Sequence, residues 1–225
     1  MNTDPAAAPA KRLWVTLEGA NGVGKTHLAA LLSAQLSGAV VLDELPAASP
    51  DRLPGKVIAA LTEKNDPFLR TGHPLAETLA LLALAVRRRE EALEATVAIE
   101  DRGSDSVAVY QALTLAESSG GSDPYPLAQQ LLAMADRWRP RSDLTVLVTA
   151  DADTRRTRWS ARLGRPLTGD ESHRLHAIAR LYEQIAAADP DRYLVLDLSE
   201  QTAAQALGAL TVAVRALTSP AGAAP

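Results

Sequence analysis

Gly19-Ala20-Asn21-Gly22-Val23-Gly24-Lys25-Thr26 fits the pattern GxxxxGK[ST], and it stands between an apolar run, Leu13 to Leu17, and a helix-patterned run, Leu28 to Leu36. In that setting the glycines turn successive backbone N–H groups toward a polyphosphate, and the following helix presents its positive N-terminal end. Lys25 would reach the outer phosphates and Thr26 would offer its hydroxyl to Mg²⁺. The expected ligand is a nucleoside triphosphate.

Acidic residues end three other segments that read as strands or lead into this loop: Glu18, then Asp43-Glu44, then Glu100-Asp101 followed by Arg102. A carboxylate beside a phosphate site can hold Mg²⁺, position a sugar hydroxyl, or take a proton from an attacking hydroxyl. Asp101 is the leading candidate for the metal's acidic partner. Arg102, with its planar fork, suits an acceptor's phosphate.

These groups must be carried by a scaffold that brings strand ends together. Short apolar runs alternate with longer helix-patterned ones, which predicts βα units and a parallel sheet. Strands are expected at about 12–18, 39–43, 96–101, 144–149 and 192–198, and helices at about 25–36, 54–63, 74–95, 104–117, 125–138, 153–163, 170–188 and 202–217. In such a sheet, ligands gather beyond the carboxyl ends of the strands. The expected architecture is a three-layer α/β/α domain over 12–217, with a five-stranded parallel sheet and a helical lid at about 153–170. Tails are expected at 1–11 and 218–225.

The chain has 225 residues, 47% hydrophobic and 22% charged, enough for one sizeable core. It contains no cysteine, which excludes disulfides, zinc thiolates and a cysteine nucleophile. A net charge of −4 without a sustained basic run argues against a nucleic-acid partner. No apolar run is long enough to span a bilayer and no signal peptide is evident, so no membrane role and a cytoplasmic location are expected.

Two segments carry a resemblance. Leu17 to Thr26 and the stretch Glu100-Asp101-Arg102-Gly103-Ser104-Asp105-Ser106-Val107-Ala108-Val109-Tyr110-Gln111 resemble the phosphate loop and the DRYxxSxxAYQ segment of thymidylate kinases. Pro140 to Leu147 is similar to that family's PDLTxxL strand, and Arg158-Trp159-Ser160-Ala161-Arg162 falls where its arginine-bearing lid lies. The resemblance runs from about 12 to 215 and implies the P-loop NTPase fold. It implies ATP as donor, bound by Gly19, Ala20, Asn21, Gly22, Val23, Gly24, Lys25, Thr26 and Arg158, with Mg²⁺ at Thr26 and Asp101. Catalysis would fall to Lys25, Asp101, Arg102, Arg158 and Arg162. The acceptor, a nucleoside monophosphate similar to dTMP, would meet Arg87, Arg102, Ser106 and Tyr110, with Arg165 a further lid arginine; beside the resemblance, the strand-end acids Glu18, Asp43 and Glu44, and Arg70 next to Phe68, are candidate acceptor contacts. A homodimer is implied too, in keeping with the long apolar helix near 75–93, which is too uniformly hydrophobic for one buried face.

Departures from the family pattern concern the acceptor. After the second strand, Leu42-Asp43-Glu44-Leu45-Pro46-Ala47 replaces the usual Arg-Glu-Pro-Gly-Gly; Asn21 replaces an aspartate, and Gly103 a tyrosine. The aromatic that stacks on the base in the family falls at Ala83 or Leu84. Phe68, the only phenylalanine, could compensate by capping the acceptor site from a loop, or could simply anchor that loop. Glu44 also resembles the glutamate of deoxynucleoside kinases, so a hydroxyl acceptor with Glu44 as base is the alternative, and a non-catalytic nucleotide-binding homologue is a further one. No NKxD or DxxG switch supports a GTPase. His27 and Trp14 read as packing residues, and His173 with His176 lack partners at zinc-ligand spacing.

Overall fold

Strand β1 (Leu13–Glu18) is apolar at four of its positions and buried at every one, as expected of a strand covered on both faces. The structure, a computed structural model, describes residues 12–45, 52–91 and 95–218. β1 pairs in parallel with β3 (Val97–Asp101) on one side and β4 (Leu144–Thr149) on the other. β2 (Ala39–Leu42) and β5 (Tyr193–Asp197) complete a five-stranded parallel sheet in the order β2-β3-β1-β4-β5. The chain leaves β1 toward β2 and β3 and later crosses to β4, so the strand order reverses around β1. That is the crevice where open α/β sheets bind ligands.

All five expected strands form with ends within one residue of expectation. Helices α1 (Lys25–Gln35), α2 (Leu53–Thr62), α3 (Pro74–Glu91), α4 (Ser104–Ser118), α5 (Pro124–Trp138), α6 (Ala152–Leu163), α7 (Gly169–Ala188) and α8 (Ala203–Thr218) follow the expected order. α3 was expected to reach 95; it ends at Glu91, and 92–94 lie outside the described residues, as do 1–11 and 219–225 of the expected tails. Helix starts are written locally. Asp151 caps α6 through the Thr154 N–H at 2.8 Å, and Thr168 with Glu171 forms a reciprocal capping box on α7.

The main core joins β1, β3 and β4 to α1, α4, α7 and α8 through Leu17, Leu28, Leu32, Ile99, Leu147, Ile178, Leu181 and Leu210, all essentially inaccessible. A second cluster, Leu61, Leu81, Leu82, Leu84, Ala85, Val107 and Ala135, fastens α2 and α3 to α4 and α5. The cleft lies where these two clusters meet. Among the described residues no helix is long and apolar enough to cross a membrane.

Candidate active site

Gly24, at φ 108°, occupies the left-handed region that favours glycine and lets the chain turn from loop into α1. Gly22 is equally constrained: a side chain there would run into the Arg155 main chain on α6. Helix α6 is thereby seated directly on the loop. Lys25, at the first position of α1, is buried and donates to the carbonyls of Gly19 and Ala20 at 2.8 and 2.9 Å. Burial, reinforced by the nearby Arg102 guanidinium, lowers Lys25 to about 7.

Thr26 donates its hydroxyl to Asp101 Oδ2 at 2.5 Å, while Asp101 Oδ1 is buried and has no hydrogen-bond partner. A carboxylate oxygen hidden from water without a donor is one that a cation would satisfy. Thr26 and Asp101 therefore fit Mg²⁺, which takes one or two protein ligands and completes its shell with phosphate oxygens and water. Glu100, the neighbouring residue, points through the opposite face of the sheet and belongs to a separate cluster with Trp14, Arg88 and Arg139. The expectation that three acidic strand ends converge on the loop is corrected at Glu100: strand alternation sends Asp101 and Glu100 apart.

The cleft, about 660 Å³, is lined on the loop side by Asn21, Gly22, Gly24, Lys25, Thr26 and His27, with Arg158, Trp159 and Arg162 facing them from α6. Arg158 donates to the Val23 carbonyl at 3.3 Å, and Arg162 lies 5.6 Å over the Trp159 ring. Gly19, Ala20 and Val23 form the loop's interior rather than its wall. His27, expected to pack, is exposed in the cleft because it points away from the α1 face that holds Leu28.

Beyond the loop, Asp43, Glu44, Asp101, Arg102, Ser106 and Tyr110 line the other end. Arg102 is its hub. Its side chain meets Glu44 Oε2 at 3.2 Å, the Tyr110 hydroxyl at 3.0 Å, Ser106 Oγ at 3.3 Å and the Asn21 side-chain oxygen, and it lies 4.8 Å over the Tyr110 ring. Glu18 sits beneath this surface, fully buried, accepting from the Gly103 N–H at 2.8 Å and the Ser106 hydroxyl at 2.6 Å. Burial, with Asp105 nearby, raises Glu18 to about 7. Glu18 was expected to touch substrate; the structure makes it an internal brace. Gly103 is explained by the same brace, since a Cβ there would lie 2.6 Å from Thr16 Cγ2 and 3.0 Å from Glu18 Oε1.

Phe68 closes this end of the cleft. It lies in the α2–α3 connection, shaped by Asp66, whose Oδ1 accepts from the backbone N–H groups of Phe68 and Arg70. Phe68 is 3% exposed, lines the cleft and lies 6.5 Å from the Tyr110 ring. Ala83 is exposed on the far side of α3 and Leu84 is buried in the second cluster, so α3 offers the cleft Leu81 instead.

Three expected acceptor contacts stand elsewhere. Arg70 folds back on Asp66 at 2.8 Å and lies behind Phe68, 5.7 Å from its ring. Arg165 is drawn to Glu171 at 2.6 Å, holding that carboxylate down to about 2 and completing the start of α7. Arg87 is half-buried and does not line the cleft; its neighbour Arg88 is the arginine α3 turns inward. Arg88, Trp159 and Gln111 were not singled out by sequence reasoning. Arg88 has the heptad spacing from Leu81 that marks the inward face, a usable signal.

No protein-family model matches the chain. Curated proteins do: it is 33% identical over 198 residues to a thymidylate kinase from Leifsonia xyli subsp. xyli, covering 83% of this chain and 87% of that protein. It is 31% identical over 196 residues to a probable thymidylate kinase from Halorubrum lacusprofundi, covering 83% and 89%. Among solved structures, a thymidylate kinase from Candida albicans superposes with a TM-score of 0.68 at 21% identity over 93% of this chain and 94% of that one. A deoxyadenosine kinase from M. mycoides follows with a TM-score of 0.63 at 13% identity over 91% and 100%.

Proposed function

Because the chain belongs to the thymidylate kinase family and is therefore a phosphotransferase of the nucleoside monophosphate kinase kind, we propose that it transfers the γ-phosphoryl group of ATP to dTMP or a closely similar monophosphate, giving the diphosphate. The observation that carries this reading is the single cleft that joins Lys25, Thr26 and the unsatisfied Asp101 oxygen at one end to Arg102, Tyr110 and Phe68 at the other. Gly19 to Thr26 would hold the phosphates of ATP, and Thr26 with Asp101 would hold Mg²⁺. The metal, when bound, supplies charge neutralisation on the phosphate oxygens.

Lys25 would exchange its two loop carbonyls for phosphate oxygens. Arg158 and Arg162, on the helix seated against the loop, would swing over the transferred group as 153–170 closes and excludes water. Arg102 would bind the acceptor phosphate with its fork, Ser106 orienting the guanidinium, and Phe68 with Tyr110 beside it would give the nucleoside an aromatic wall. We place the enzyme in the cytoplasm as one kinase domain over 12–217. We also infer a homodimer, since α3 leaves Leu75 63% and Leu79 51% exposed, one turn apart.

One observation favours a second reading, a nucleoside or other small hydroxyl acceptor with Glu44 as base. Glu44 engages Arg102 at 3.2 Å, where its charge repels an incoming phosphate dianion and where a hydroxyl proton could be taken. ATP-dependent phosphorylation of thymidine and thymidylate, with products resolved by mass, separates the two. Diphosphate from thymidylate is the expected result, abolished in Lys25→Ala. Monophosphate from thymidine, lost in Glu44→Gln, would overturn it in favour of the hydroxyl acceptor.

A further inference from the structure

The acceptor end of the cleft is built from two chain segments: the end of β2, carrying Asp43 and Glu44, and the residue after β3, Arg102. Both are held by one side chain. Arg88, 5% exposed on the inner face of α3, donates through Nη1 to the Glu44 carbonyl at 2.5 Å and the Asp43 carbonyl at 3.5 Å, and through Nη2 to the Arg102 carbonyl at 3.0 Å. Its Nε donates to Glu100 Oε1 at 3.1 Å.

Arg102 needs such a hold. It is a non-glycine residue at φ 74°, in the left-handed region, which costs a residue with a Cβ about 1–2 kcal/mol. Such a conformation persists only where its surroundings over-determine it. The Arg102 N–H donates to the Leu17 carbonyl at 3.1 Å, and Arg88 takes the carbonyl on the other side. The hub is pinned at both of its peptides.

Glu100 explains why a charge can be buried here. It is inaccessible, and besides Arg88 it meets Arg139, the Trp14 indole N–H at 3.2 Å and the Thr16 hydroxyl at 3.3 Å. A guanidinium facing a buried carboxylate on one edge keeps its other donors for carbonyls, a division of labour a lysine ammonium cannot reproduce. We propose that Arg88 is a positioning residue for the acceptor: by clamping the carbonyls of Asp43, Glu44 and Arg102 it sets the distance and angle between the Glu44 carboxylate and the Arg102 fork. It touches no substrate and acts through these two.

The inference rests on the kinase reading only for its kinetic probe. Arg88→Lys is the variant of choice, since it keeps a cation opposite Glu100 and so keeps the fold. Two readouts are made on it. The first needs no acceptor: the side-chain Nε–H resonance of Arg102, assigned by its loss in Arg102→Lys, is expected to be protected from exchange in the native protein and to broaden or exchange at least tenfold faster in Arg88→Lys. The second uses dTMP and ATP: the KM for dTMP is expected to rise about tenfold while the KM for ATP stays within about twofold. In Arg88→Ala, millimolar guanidinium should restore part of the dTMP effect and methylammonium should not. An unchanged Arg102 resonance in Arg88→Lys overturns the proposal, as does an equal loss toward ATP and dTMP. Absence of dTMP turnover in the native protein together with the expected resonance change would overturn the acceptor assignment and leave the clamp standing.

Discussion

At the scale of single residues, the site's most informative property is a lysine held near neutrality. Lys25, buried and close to Arg102, is lowered to about 7, whereas an unperturbed lysine titrates near 10.4. Bringing the ATP phosphates onto it supplies the negative charge it lacks and raises it again. The sign follows directly: above about pH 7 the free enzyme carries a largely uncharged Lys25, the complex a charged one, so binding takes up a proton. Calorimetry at about pH 8 in buffers of different ionisation enthalpy should show uptake approaching one proton per ATP, and affinity should fall as pH rises above 7. Lys25→Met should bind ATP more weakly with that uptake gone. Uptake that persists in the variant would mean another group titrates. The loop was readable from eight consecutive residues. The shift was not, because it depends on burial in the folded site and on Arg102, which lies 77 positions away in the chain.

At the scale of elements, the α2–α3 connection, not α3, brings Phe68 to the cleft. Leu81 faces the cleft from α3 while Phe68 reaches in from the connection, fixed by the Asp66 turn and flanked by the guanidiniums of Arg70 and Arg174 at 5.7 and 5.5 Å. With guanidiniums at these distances and the Tyr110 ring 6.5 Å away, the Phe68 ring is held in one place at the cleft wall. Phe68→Ala should therefore raise the KM for dTMP about tenfold or more, a loss of about 1.5 kcal/mol, with the KM for ATP unchanged. An unchanged dTMP KM in a folded variant would reduce Phe68 to a loop anchor. The elements themselves were legible because apolar runs and helical spacing are local properties. What escaped was the rotation of each element about its axis. Three arginines stand in a row at 87, 88 and 89, and only the phase set by buried Thr78, Leu81 and Ala85 selects Arg88. Arg165 was misplaced because its pairing with Glu171 depends on the path of the turn between α6 and α7, which helical spacing does not specify.

At the scale of the whole molecule, the apolar character of α3 is only partly used within one chain. Its inner face, Leu81, Leu82, Leu84 and Ala85, is buried, yet Leu75 and Leu79 remain in solvent on the other side. Exposed leucines one helical turn apart form a stripe that a second copy can cover with the same stripe, which is the self-complementary arrangement a two-fold axis requires. The same helix carries Arg88, so a dimer through α3 would stiffen the element that clamps the acceptor site. Leu79→Glu would place a carboxylate from each copy at that contact, and removing a buried leucine from an interface while adding like charges costs several kcal/mol. Light scattering at tens of micromolar should give about twice the 23.8 kDa chain mass for the native protein and the single-chain mass for Leu79→Glu. A native protein that already scatters as one chain would remove the dimer and leave the stripe as exposed surface. If the variant becomes monomeric and its dTMP KM rises while ATP binding is kept, the interface and the acceptor site are coupled through α3, the helix that carries Arg88.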